Sequence, residues 1–166
     1  MSLARQQGRN TGNIKHIALP TCLSNVLVDF LTLAQQKDID LGVLRLDEIS
    51  VLATAQDIET LLRNAISNAI RYTPIGRKVD IRIYAETINN EKWAVIEITD
   101  SGSGIPEAEM TRVFDPFYRV LGQAATRNGL GLTIIQEIAK RYGGQIRLSN
   151  LENPHGFCFV FRMQMV

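Results

Sequence analysis

Asn64, Asn68, Arg71 and Tyr72 recur at i, i+4, i+7 and i+8 within the segment Leu61 to Tyr72, a spacing that lines them up along one side of a helix. Leu61, Leu62, Ala65, Ile66, Ala69 and Ile70 fill the adjoining half of the wheel at about 100° per residue. The polar stripe therefore borders a buried face. Amide oxygens are hard ligands suited to Mg²⁺, which keeps several waters and takes few protein ligands. A guanidinium beside them can meet phosphate oxygens. A solvated polar face with chance spacing would hold the same residues, and this helix alone does not separate the two readings.

A second stretch sharpens the choice. In Trp93-Ala94-Val95-Ile96-Glu97-Ile98-Thr99-Asp100, side chains alternate faces, so Asp100 shares a face with Ala94, Ile96 and Ile98. An ionised carboxylate on that apolar face is costly unless it is hydrogen-bonded. The exocyclic amine of an adenine, with or without a bridging water, would satisfy it specifically. The glycines of Ser101-Gly102-Ser103-Gly104-Ile105-Pro106 let a backbone approach a flat ligand. Asp-x-Gly-x-Gly alone also reads as an ordinary strand-ending turn.

Two more stretches follow. Asn128-Gly129-Leu130-Gly131-Leu132 stands directly before a third helix, whose free N–H groups and dipole suit a phosphate chain. Between the glycine loops lie Val113-Phe114-Asp115-Pro116-Phe117-Tyr118-Arg119 and the small-residue segment Val120 to Arg127. Bulky rings before a small-residue run suggest an anchored base and a movable lid; core packing of Phe114 and Phe117 is the competing reading. Each signal is modest singly. Four in one order, each on the element type its chemistry requires, argue for a nucleotide site.

The elements that must position these residues are legible in outline. A strand is expected over His16 to Leu19. A helix follows, capped by Thr21, with Leu23, Val26, Leu27, Phe30, Leu31 and Ala34 at helical spacing. Leu41 to Leu46 and Ile49 to Ala53 read as a strand pair around Asp47-Glu48. The second helix runs from about Ala55 to Tyr72 and stops at Pro74 and Gly76. Val79 to Ala85 and Trp93 to Thr99 form a hairpin through Asn89-Asn90. A short acidic helical turn comes after the first glycine loop. The third helix, Leu132 to Tyr142, ends at Gly143-Gly144; strands Gln145 to Ser149 and Phe157 to Met163 finish the chain. The pattern predicts an α/β two-layer sandwich, a mixed sheet covered on one face by about three helices.

Composition narrows the function classes. A formal charge of +1 without a basic stripe excludes an electrostatic case for nucleic acid or direct membrane contact. Cys22 and Cys158, far apart in apolar contexts, read as packed, reduced thiols. No apolar run reaches membrane-spanning length, and no signal peptide is visible. Residues 1–13 read as a start segment and polar linker, and residues 14–166 as one domain, a length able to bury a core without disulfides or metals.

These residues resemble the ATPase superfamily of gyrase, Hsp90, histidine kinase and MutL, and specifically the ATP-binding catalytic domain of a bacterial two-component sensor histidine kinase. Asn64 to Tyr72 is similar to the N box, with Asn68 at the Mg²⁺-binding asparagine and Arg71 and Tyr72 at the phosphate-contacting cation and the ring beside the nucleotide. Asp100 to Gly104 resembles the G1 box, whose aspartate reads the adenine amine, and Ile105 follows it. Phe114 to Arg119 looks like the branch-specific F box, placing Phe117, Tyr118 and Arg119 at the nucleotide. Gly129, Leu130, Gly131 and Leu132 resemble the G2 box. The resemblance spans about Ile17 to Met163.

It implies the Bergerat-type ATP-binding fold, with ATP and Mg²⁺ as cofactors and Asn64 and Arg119 as the catalytic group. The γ-phosphoryl group would pass to a histidine on a separate phosphoacceptor helical hairpin of the parent kinase, then to a response regulator. The ATPase branches carry a glutamate base where Asn64 stands; an amide cannot take a proton from water, which leaves positioning and charge neutralisation as the domain's work. No phosphoacceptor motif occurs around His16 or His155, so the chain alone is not expected to autophosphorylate, and it is expected to be a monomer. The parent is expected in the bacterial inner membrane with this domain in the cytoplasm. Arg127 departs from the glycine that usually opens the G2 box, and Phe157 stands where the family often has threonine. Two other functions use the same nucleotide fold: an anti-sigma-factor-type serine kinase and a non-catalytic nucleotide-binding interaction module.

Overall fold

The computed structural model describes residues 14–112, 130–152 and 154–165. Strand β1 (Lys15–Ala18) leads into helix α1 (Leu19–Leu27), which Ala18 caps in extended geometry without a side-chain bond. The expected cap, Thr21, instead lies inside the first turn, because Pro20 is already helical; its fixed φ and missing N–H suit the helix start. The expected single helix through Ala34 is broken, and α2 (Leu31–Gln36) is separate. Asp29 N–H donates to Val26 O and Phe30 N–H to Leu27 O, tight bonds that overwind the chain there. Phe30 is thereby buried while Val28 and Leu31 stay exposed.

Strands β2 (Asp40–Leu46) and β3 (Ser50–Ala53) do not pair with each other as expected. β2 runs parallel to β4 (Lys78–Ile88), and β3 runs antiparallel to β1 in a separate two-stranded sheet. A tight hairpin needs positive φ in its turn, and Asp47-Glu48 supplies none. Asp47 N–H instead donates to Ile83 O and Ile49 O accepts from Leu19 N–H, which sends the two strands to different sheets. The main sheet has the order β2-β4-β5-β7-β6, with β5 (Glu91–Asp100), β6 (Gln145–Leu151) and β7 (Gly156–Gln164) joined antiparallel. The expected β4–β5 hairpin forms, turning at Asn89 (φ 52) and Asn90 (φ 67).

Helix α3 (Ala55–Tyr72) lies across one face of this sheet, flanked by α1 and by α4 (Leu130–Tyr142). Ile58, Leu61, Leu62, Ile66 and Ile70 of α3 pack with Ile81, Ile83, Ile96, Phe161 and, from α4, Ile135. The α/β two-layer sandwich is as expected. The other sheet face is not simply polar: Val95, Cys158 and Val160 form a small buried cluster beside Tyr84 and Leu151. Long charged side chains border it through Arg82–Glu97 and Arg162–Glu86, and Arg45 lies 4.8 Å over the Tyr84 ring. Both cysteines are free and buried. Burial, reinforced by Glu59, pushes the Cys22 thiol up to about 11, so it stays protonated at neutral pH.

Helices α3 and α4 are latched at the end remote from the glycine loops. Thr54 Oγ1 accepts from Asp57 N–H at the start of α3. The buried Asp57 carboxylate accepts from Arg141 Nη1 at 2.8 Å and from the Tyr142 hydroxyl. Gly143, at φ 65, then ends α4 with Gly144 N–H donating to Ala139 O, the left-handed stop expected there. Removing one partner of a buried pair strands the other charge. Asp57→Ala is therefore expected to cost about 2–4 kcal/mol of stability, with Arg141 partly exposed and so below the full buried-pair cost. Denaturant unfolding measures it, and a loss under about 1 kcal/mol, the surface-pair range, would reject the latch.

Candidate nucleotide-binding site

The C-terminal end of α3 sits against the C-terminal end of β5, which brings the amide stripe and Asp100 together. Asn68 and Arg71 are half-buried and linked: Arg71 Nη1 donates to Asn68 Oδ1 at 3.2 Å and Nη2 to Ser67 Oγ at 3.2 Å. Asn64 Nδ2 donates back to Thr60 O at 2.7 Å. Tyr72 is half-buried, and its carbonyl approaches the loop after β5: a Cβ at Gly102 would lie 3.5 Å from it and 3.3 Å from Pro74. Lys37, from the turn after α2, donates to the Ile70 and Arg71 carbonyls at 2.8 Å each. A cation at these free carbonyls stabilises the end of the helix that carries Arg71 and Tyr72. Burial, then the nearby Arg71, lowers the Lys37 pKa.

Asp100 stands on the helix-covered face with Ala94, Ile96 and Ile98, as the alternation requires. Burial pushes its carboxyl above the usual value, opposed by the nearby Gly102 and Phe157 backbone N–H groups. The Gly102 bond measures 2.8 Å. This donor holds one carboxylate oxygen at the C-terminal end of the central strand β5, with lone pairs left for a further donor. Its row across the sheet is Leu41, Val79, Asp100, Phe157 and Asn150. Val79 and Phe157 therefore flank it.

The loop leaving β5 is pinned at both ends. Ser101 N–H donates to Lys78 O, and Ser101 Oγ accepts from Lys78 N–H at 3.0 Å. Gly104, at φ 80, and Ile105 reach across to Asn150 on β6. A short 3₁₀ turn, Glu107–Arg112, follows. Helix α4 begins at Leu130, two residues earlier than expected, so Leu130, Gly131 and Leu132 form its first turn. Leu132 is partly buried against the core. Phe117, Tyr118, Arg119 and Gly129 lie outside the described residues, as do Phe114 and the lid segment with Arg127. His16 and His155 are exposed. Among the described residues no cluster of three or more histidine, cysteine and carboxylate side chains could hold a metal.

Residues 53–166 match the family model described as histidine kinase-, DNA gyrase B-, and HSP90-like ATPase, a stretch that includes the whole of α3, β5 and both glycine loops. The chain belongs to this ATPase family. Membership implies ATP binding, and it is consistent with the half-buried carboxylate at the C-terminal end of β5. Among relatives of the ATPase domain, the sensor protein QseC of Escherichia coli (strain K12) is 36% identical over 145 residues, 86% of this chain and 30% of QseC. The sensor protein kinase PmrB of Pseudomonas aeruginosa is 32% identical over 133 residues, 80% of this chain and 27% of PmrB. The catalytic domain of histidine kinase ThkA superposes with a TM-score of 0.76 at 28% identity, covering 91% of this chain and 95% of that one. The chain thus spans under a third of these two sensor proteins and nearly the whole of a kinase catalytic domain.

Several residues hold the site through contacts that spacing along the chain does not display. Lys37, Ser101 and Asn150 act through backbone groups of residues far away in the chain, 33 to 45 positions for Lys37 and Asn150. Ser101 stands in the first glycine loop, Asn150 had a cue as a polar residue continuing the apolar face of Ile146 and Leu148, and Lys37 had none.

Proposed function

We propose that this chain is the catalytic domain of a sensor histidine kinase: it binds Mg·ATP and donates the γ-phosphoryl group to a histidine on a separate phosphoacceptor hairpin. Asp100 is the observation that carries the reading. It is a carboxylate on an apolar sheet face, held by the Gly102 backbone N–H and set against the end of the helix bearing Asn68, Arg71 and Tyr72. Its remaining lone pairs suit the adenine amine, and the loop of Gly102, Gly104 and Ile105 lies along the base. The Asn68 amide oxygen suits Mg²⁺, with Arg71 beside it for the phosphates. Mg²⁺, when bound, neutralises phosphate charge.

The imidazole nitrogen of the acceptor histidine forms the new P–N bond as the bond to the bridging oxygen breaks, leaving ADP. That nucleophile needs no base to deprotonate it, in keeping with an amide at Asn64. Arg119 completes the catalytic group, with Phe117 and Tyr118 beside the nucleotide. Gly129, Leu130, Gly131 and Leu132 bring the phosphates to the start of α4, whose dipole favours them. The parent is a kinase of the bacterial inner membrane with this domain in the cytoplasm; a response regulator receives the phosphoryl group downstream, and the isolated domain is monomeric.

The decisive experiment supplies γ-labelled ATP, Mg²⁺ and the parent's phosphoacceptor hairpin to this chain. The expected product is label on the hairpin that is acid-labile and alkali-stable, as a phosphohistidine is, with none on the catalytic domain. Acid-stable label on a serine of a partner would establish the serine-kinase reading. Adenine-nucleotide binding with no transfer to the hairpin would establish the non-catalytic one.

A further inference from the structure

We infer that Asn150 is a positioning residue for adenine recognition. Its side-chain amide imitates a strand neighbour and pins the loop that follows Asp100. Asn150 Oδ1 accepts from Ile105 N–H at 2.8 Å while Nδ2 donates to Ile105 O at 2.6 Å. Both backbone groups of one loop residue are thus held by one side chain, a reciprocal pairing that fixes position and orientation together.

The chain's path makes this anchor necessary. Asp100 and Asn150 lie in one row across the sheet, separated by Phe157 on β7. The loop from β5 must therefore pass over the start of β7 to reach β6. A Cβ at Gly156 would overlap the Asp100 carbonyl, and a Cβ at Gly104 would overlap the Asn150 amide while approaching Gly156 O to 3.3 Å. The crossing is close because both positions are glycine, and Gly104 takes the left-handed conformation there.

Asn150 reaches the adenine site through the loop. The Gly102 N–H that orients Asp100 Oδ1 belongs to the same segment, only three residues before Ile105. With Ser101 tied to Lys78 at one end and Ile105 tied to Asn150 at the other, the Gly102 donor has a fixed place. Freed from Asn150, the loop would keep only its Ser101 anchor, and the carboxylate would lose its defined aim. The inference rests on reading Asp100 as the group that recognises adenine.

The test titrates the whole chain with ADP and GDP, comparing the parent with Asn150→Ala and Asn150→Asp, and follows amide exchange at Ile105 and Ile98 without nucleotide. The isosteric Asp variant keeps the acceptor for Ile105 N–H but sets a carboxylate oxygen against Ile105 O, so it guards against a misfolded Ala variant. For both, ADP affinity is expected to fall about tenfold, the scale of one or two hydrogen bonds. The ADP-over-GDP preference should shrink with it. In the Ala variant Ile105 exchange should accelerate while Ile98, inside β5, keeps its protection. A merely structural role would leave the base preference untouched. Parent-like affinity and preference in both variants, even with faster Ile105 exchange, would overturn the inference alone. A parent that does not prefer ADP to GDP would overturn the reading of Asp100, and this inference with it.

Discussion

Replacing Asp100 with alanine is expected to cut ADP affinity by about 10–100-fold, the worth of a hydrogen bond to a charged group, and to erase the preference for adenine over guanine nucleotides. Guanine carries a carbonyl where adenine carries its amine, so an ionised carboxylate accepts from one and repels the other. The Gly102 donor leaves that carboxylate aimed rather than free to rotate. Calorimetry with ADP and GDP makes the measurement, and retained adenine preference in Asp100→Ala would put base recognition elsewhere. The same group predicts a pH effect. Burial raises the Asp100 pKa in the folded chain, so it takes up its proton at a higher pH than an exposed aspartate. ADP affinity should therefore fall as pH drops through that raised value. The stability effect has the opposite sense: the folded state binds this proton more readily than the unfolded state, so charging Asp100 costs stability, and that cost is relieved as pH falls through the same range. An affinity that is flat while the fold persists would show that the carboxylate's charge is not used.

Asn68→Ala is expected to remove the Mg²⁺ dependence of binding a non-hydrolysable ATP analogue, and to lower phosphoryl transfer to a supplied hairpin by at least about a hundredfold, the scale on which single preorganised groups act. Asn68 has two duties in the structure. Its Oδ1 is a hard oxygen on the polar stripe of α3, and it also accepts from Arg71. Losing it removes a metal ligand and unties one of the two bonds that aim the guanidinium, leaving Ser67 Oγ as the other. Titrations with and without Mg²⁺ separate the duties. If the analogue still binds better with Mg²⁺ than without, the metal is held elsewhere. A loss of affinity equal in both conditions would assign Asn68 to aiming Arg71.

The local elements that carry the chemistry were readable because their signals are periodic. The wheel of α3 was right from Ala55 to Tyr72 because its apolar positions recur over five turns and Pro74 and Gly76 end it. Asp100's face followed from the two-residue repeat of β5. The failures lie where a contact from elsewhere overrules a local pattern. The apolar spacing from Leu23 to Ala34 would suit one helix, yet the turn at Asp29 and Phe30 divides it. The segment around Asp47-Glu48 lies between two strand-like runs, yet its backbone is engaged by Ile83 and Leu19, which local spacing does not display.

By itself, the sequence determined which residue types could meet a nucleotide, in what order, and on which kind of element each stands. Those are properties of spacing along the chain, and the family match rests on them. Only the tertiary structure decided how the residues are aimed. The carbonyls at the end of α3 are met by Lys37, the Asp100 carboxylate by Gly102, and the glycine loop by Asn150. Each of these partners is brought in by packing across the sheet or between loops, and side chains that bind backbone atoms leave no repeat behind. Spacing can nominate a donor or acceptor, but its direction is set by what the fold places opposite it.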